Sequence, residues 1–136
     1  MATASVREAL IQHLIHAPTI FALVGGRVYP KRIPEGESVP AITVTKVSNS
    51  YEKVHRERSI SKTPRYQVVS WADSADAAES LAALIETVLD GFLGTLGYGT
   101  ATMRVEAITI EGENDDDDEE IGLAWVNQDY AILVTP

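Results

Sequence analysis

Apolar positions along the chain recur at two different periods. Val6, Leu10, Leu14 and Ala17, joined by Ile11 and Ile15, repeat every three or four residues and predict an amphipathic first helix. Ser5 stands before it and Glu8 three residues on, a Ser-x-x-Glu capping box that satisfies amide donors at the helix start. Pro18 is expected to end that helix, and Thr19 to Val24 to form a short apolar turn closing at Gly25-Gly26. The strongest helical pattern runs from Ser74 to Leu93. Leu81, Leu84, Ile85, Val88, Leu89 and Phe92 form its inner stripe, and Glu86 and Asp90 fall opposite. Asp73 or Ser74 can cap it, and Asp76 and Glu79 suit the positive end of its dipole.

Elsewhere the pattern alternates or is rich in β-branched residues. Arg27 to Pro30 reads as a short strand or turn entry, and Lys31 to Val39 as a loop. Pro40 to Val47 reads as a strand that tolerates proline at its start, and Arg65 to Trp71 as another. In the latter, Tyr66 and Val68 point to one face and Val69 and Trp71 to the other. Gly91, Gly94, Gly97 and Gly99 are expected to break the long helix and make a flexible turn. Ala101 to Glu111 and Leu123 to Thr135 close the chain as a predicted β hairpin. The apolar phase slips between Ala107 and Ile108, which predicts a bulge there.

Helices and strands come in separate runs, so the expected fold is α+β: a mainly antiparallel sheet, helices packed on one face, and a C-terminal β hairpin. Residues 1–136 read as a single domain with no internal repeat and no linker. Residues 48–63 are polar and read as either a hairpin arm or a poorly ordered loop. Residues 113–120 read as a mobile acidic loop between the last two strands.

Composition narrows the function classes. The 136 residues are 45% hydrophobic, which fits a folded domain, and no apolar run is long enough to span a bilayer, so no membrane role is expected. The amino terminus lacks the pattern of a secretory leader. Without cysteine there is no disulfide, thiol nucleophile or cysteine zinc site. The net charge of −9 disfavours general binding to nucleic acid. That charge is local: Glu113, Asp115, Asp116, Asp117, Asp118, Glu119 and Glu120 supply seven of the 20 acids, and the remainder carries 13 acids against 11 bases.

The search for chemistry finds no reactive constellation, and no catalytic, metal or cofactor-binding residue is assigned. His13 and His16 share a helix side but have no third ligand at suitable spacing. The acidic run fits no EF-hand register, since Ile121 or Glu120 occupies the position that needs glycine. GxGxxG, GxxxxGK[ST] and GxSxG are absent, so no cofactor is expected. Tyr51, Lys53, Arg56, Arg58, Lys62 and Arg65 mark a basic, aromatic stretch. Contact with a protein partner ranks first for it, a solvated hairpin second and nucleic acid third, because Glu52 and Glu57 weaken its field.

One longer pattern stands out. A helix leads into Phe21-Ala22-Leu23-Val24-Gly25-Gly26-Arg27-Val28-Tyr29-Pro30, then a proline-containing loop and Val39-Pro40-Ala41-Ile42-Thr43-Val44. Tyr66-Gln67-Val68 closing at Trp71, the helix from Ser74 with Ala77, Ala78 and Leu81, and Ala131-Ile132-Leu133-Val134 continue it. The whole resembles the tail-terminator or tail-completion family of long-tailed bacteriophages and prophages, although the acidic run 113–120 is longer and more charged than that pattern. The resemblance implies a structural, non-enzymatic subunit of the virion tail and neck, made in the host cytoplasm. It implies a homo-oligomeric ring, typically a hexamer, that caps the tail tube and offers a surface for head joining. The implied partners are further copies, the tail tube protein and a head-completion or connector protein, with DNA only as passing cargo. Tyr51, Lys53, Arg56, Arg58 and Lys62 are then expected at an interface, and Asp115 to Glu120 at the channel or the next ring. A tail-tube subunit, another neck adaptor, a ligand-binding module and an enzyme built from dispersed residues are the other readings.

Overall fold

The computed structural model describes residues 5–53 and 60–135, with side chains described outside 48–53 and 60–62. In chain order the elements are α1 (Val6–Ile15), α2 (Pro18–Val24), β1 (Val28–Pro30), β2 (Ala41–Lys53), β3 (Ile60–Ala72), α3 (Ala75–Leu89), β4 (Gly94–Tyr98), β5 (Ala101–Asp118) and β6 (Leu123–Val134).

The helix ends follow from local chemistry. Ser5 Oγ accepts from the Glu8 amide at 3.1 Å at the start of α1. Pro18 does more than end α1: it occupies the first turn of α2, where a missing N–H costs nothing. The expected turn at 19–24 is therefore a helix, capped by Gly25 in the left-handed region. Ser74 caps α3, its Oγ accepting from Ala77 N at 3.2 Å. The helix stops at Leu89 rather than Leu93, because Asp90 leaves helical angles and its Oδ1 accepts from Ile110 N at 3.0 Å. Gly91 N then donates to Ile108 O at 2.8 Å, fastening the helix end to β5.

The glycines after Phe92 are not a flexible turn. Gly94 to Tyr98 form β4, paired with Val105 to Ala101. Gly97 lies in this strand because α1 crosses there: a Cβ would stand 3.2 Å from Ala9 Cα and collide with the Ala101 carbonyl oxygen. Of the glycines that suggested a break, Gly97 is the one that lets β4 fit under the helix.

The six strands lie in the order β1-β2-β3-β6-β5-β4. Only β1 and β2 are parallel; every other neighbouring pair is antiparallel. β5 shifts register between Val105 and Ala107 and again between Ile110 and Gly112, so the predicted bulge lies one residue earlier than expected and has a second beyond it. Leu10 and Leu14 of α1, Ile20 and Val24 of α2 and Leu81, Ile85 and Leu89 of α3 pack on one sheet face against Ile42, Val44, Val68, Ile108, Tyr130 and Ile132. Each fully buried Leu or Ile contributes about 1.5–3 kcal/mol of transfer free energy. Ala72, Ala78, Ala82, Ala124 and Val126 form a smaller cluster whose short side chains bring α3 close to the sheet. This is the expected α+β arrangement, with its C-terminal β5–β6 hairpin.

Candidate functional site

Two long hairpins dominate the sheet and extend from opposite ends of it. β2 and β3 stay paired out to Lys53 and Ile60. β5 and β6 stay paired out to Asp118 and Leu123. Lys62 stands opposite Val134, and Ala72 opposite Ala124, so the two hairpin ends lie at opposite ends of the sheet. About 13 residues of strand at ~3.3 Å each separate them by roughly 40 Å.

The acidic segment differs from the expected loop. Residues 113–118 are the last part of β5, and only the stretch 119–122 forms the turn. Register partners explain this: Glu113, Asp115 and Asp117 stand opposite Gln128, Val126 and Ala124, and Asn114 and Asp116 opposite Asn127 and Trp125. Strand alternation divides the carboxylates between two faces, which lengthens the spacing between like charges on either face. Glu113, Asp115 and Asp117 lie on the α3 side. Asp116 and Asp118 lie on the open side.

On the α3 side, Glu113 and Asp115 line a groove with Glu79 and Glu86 of the helix. Beneath it, Gln128 is fully buried; its Nε2 donates to Ala82 O at 3.1 Å and to Glu113 Oε1 at 2.9 Å. Tyr130 OH donates to Gln128 Oε1 at 3.2 Å. Burial pushes the Tyr130 hydroxyl far above the usual phenol range, and Glu86, Asp90 and Glu113 add to the shift. The acidic arm is thus tied into the core through one amide.

On the open side, Trp71 and Trp125 meet at 5.1 Å between ring centroids, and Trp71 Nε1 donates to Thr43 Oγ1 at 2.9 Å. Asn127 Nδ2 donates to Asn114 Oδ1 at 2.7 Å. These contacts stiffen the sheet beside the acidic arm. The β3 alternation placed Trp71 on the face opposite Tyr66 and Val68, but its pairing with Trp125 depends on the β3–β6 register, which sequence did not supply.

The basic stretch is only partly described. Tyr51, Lys53 and Lys62 are paired strand positions, with Tyr51 opposite Lys62 and Lys53 opposite Ile60. Arg56 and Arg58 lie outside the described residues. Arg65, the last base of this stretch, bonds Glu111 across β6 at 3.3 Å, both side chains being partly exposed. His13 and His16 serve separate contacts. His13 Nδ1 accepts from Gly97 N at 3.2 Å with its ring edge-on to Phe92, while His16 stacks on Tyr98 at 3.8 Å. Among the described residues no three His, Cys, Asp or Glu side chains are grouped to hold a metal ion, and no helix is long and apolar enough to cross a membrane.

The chain thus presents a small α+β fold with long hairpins at opposite ends of one sheet. The chain belongs to the family described as tail completion protein gp17, whose model matches residues 8–135. It is a structural protein of the virion tail. The fold is similar to that of a chain in a solved structure titled "Virion of native gene transfer agent (GTA) particle", with a TM-score of 0.72 and 17% identity over 96% of this chain and 94% of that one. No curated protein sequence matches the chain.

Proposed function

We propose that this chain assembles into a homo-oligomeric ring, of six copies as its family resemblance implies, that caps the tail tube. The ring ends tube polymerisation and forms the tail-side surface on which the head-completion or connector protein docks. The observation that carries this reading is the family match across nearly the whole chain. The absence of a reactive motif in the sequence is consistent with a role that turns over no substrate. The layout also suits ring closure, which joins two different patches of each subunit head to tail, and this subunit bears two different charged hairpins about 40 Å apart.

DNA passes the ring only as cargo. Carboxylates of the stretch Asp115 to Glu120 that face the channel repel phosphate, so the strand slides without sticking. The experiment is cryo-imaging of the neck of intact particles, with this chain traced in the density. The reading expects a closed ring of this chain between tube and head; a position within the repeating tube would assign it as a tube subunit instead.

A further inference from the structure

The two long hairpins each leave one backbone edge uncovered. β1 pairs with β2 only from Ile42 to Val44, so the outer edge of β2 from Thr45 to Lys53 has no strand beside it among the described residues. β4 pairs with β5 only from Ala101 to Val105, and the α3–β4 turn covers Ile108 and Ile110. The outer edge of β5 from Gly112 to Asp118 likewise has no strand beside it among the described residues. An uncovered strand edge is a row of unpaired amides and carbonyls that pairs readily with another chain.

We propose that these two edges pair with each other between copies: β2, from Thr45 to Lys53, adds to the β5 edge from Gly112 to Asp118 of the next copy. This rests on the ring reading and names the contact that builds it. Three features fit the second copy as the occupant. Their lengths are comparable, at nine and seven residues. β2 and β5 run in opposite directions within one sheet, so copies placed side by side present them antiparallel. Their charges are opposite in sign: Thr45 to Lys53 carries Lys46 and Lys53 against Glu52, and Gly112 to Asp118 carries five acids and no base. In the antiparallel arrangement Val47 and Ile121, exposed by 54% and 64%, fall at the same end of the contact. The acids keep the β5 edge from pairing with its own kind and admit a basic strand. Because the edges are at opposite ends of the sheet, the contact is head to tail, as closure into a ring requires.

The test uses native mass spectrometry of the full chain, alone at rising concentration and with its tail-tube protein. Four samples are compared: wild type, an edge variant (Asp115→Lys, Asp116→Lys, Asp117→Lys), an arm variant (Lys46→Glu, Lys53→Glu, Lys62→Glu), and the two variants mixed equally. The substituted edge positions are exposed, and unchanged circular dichroism checks that each variant folds. Each variant alone is expected to lose assembly at least tenfold and the mixture to recover it, because the reversed arm of one fits the reversed edge of the other. Hydrogen exchange on the wild-type assembly is expected to show protection at 45–53 and 112–118. A wild-type ring without that protection, or variants that assemble like wild type, overturns the edge pairing and leaves the ring standing. A wild type that stays monomeric in both conditions overturns the ring itself.

Discussion

Gln128 Nε2 lies 2.9 Å from Glu113 Oε1, so the one fully buried amide of β6 holds the base of the acidic arm. The same nitrogen donates to the Ala82 carbonyl of α3, and Tyr130 OH donates to Oε1. Replacing Gln128→Leu keeps the volume roughly constant but strands the Tyr130 hydroxyl and releases Glu113. An unsatisfied buried polar group costs about 1–3 kcal/mol. Urea unfolding of the variant is expected to show that loss, and an unchanged midpoint would show the network to be idle.

Gly97→Ala is expected to be among the most damaging single changes. The added methyl collides with the Ala101 carbonyl oxygen, and Gly97 has φ +103, a region closed to alanine. The expected loss is about 2 kcal/mol or more. Thermal unfolding and soluble yield check it, with Gly99→Ala, which meets nothing within 4 Å but is strained at φ +65, as the milder control.

Acid weakens the fold through His13. Burial holds its pKa below 6.5, and its Nδ1 already accepts from Gly97 N. Above pH ~6.5 the ring is neutral in both folded and unfolded chains. As pH falls below that value the unfolded chain takes up the proton first, so stability declines until the folded site titrates too. Tyr130 acts at the other extreme: its folded pKa is raised, so stability is lost as pH rises past the unfolded value near ~10. Melting temperatures from pH 5 to 8 are expected to fall more steeply on the acid side for wild type than for His13→Gln, which retains an acceptor but does not titrate.

The acidic arm should respond to salt. Asp115→Asn with Asp117→Asn removes two like charges beside Glu113 on one strand face. The variant is expected to melt higher than wild type in dilute buffer. The difference should shrink near about 0.5 M salt, where screening reaches only a few ångströms. A constant difference would point to packing rather than charge.

Much of the fold was legible because burial imposes its period. The α1 and α3 stripes, the β3 alternation and the final hairpin each follow from which side chains must leave water. Two features were hidden. β4 reads as a glycine-rich turn because what demands glycine there is the later approach of α1, a contact between residues 88 positions apart in the case of Ala9 and Gly97. The acidic run reads as a loop because seven carboxylates repel, yet β6 gives the five from Glu113 to Asp118 strand positions, alternation sends neighbours to opposite faces, and only Glu119 and Glu120 are left in the turn. The charged segments were visible as charge; their placement at opposite ends of one sheet, with an uncovered edge at each, required the topology.

Deletion of the gene followed by electron microscopy of the tails is the most direct measurement of the central claim. A ring that ends the tube predicts tubes of uneven, overrunning length with no heads attached, restored by supplying the chain in trans. Tails of normal length joined to filled heads in its absence would contradict it.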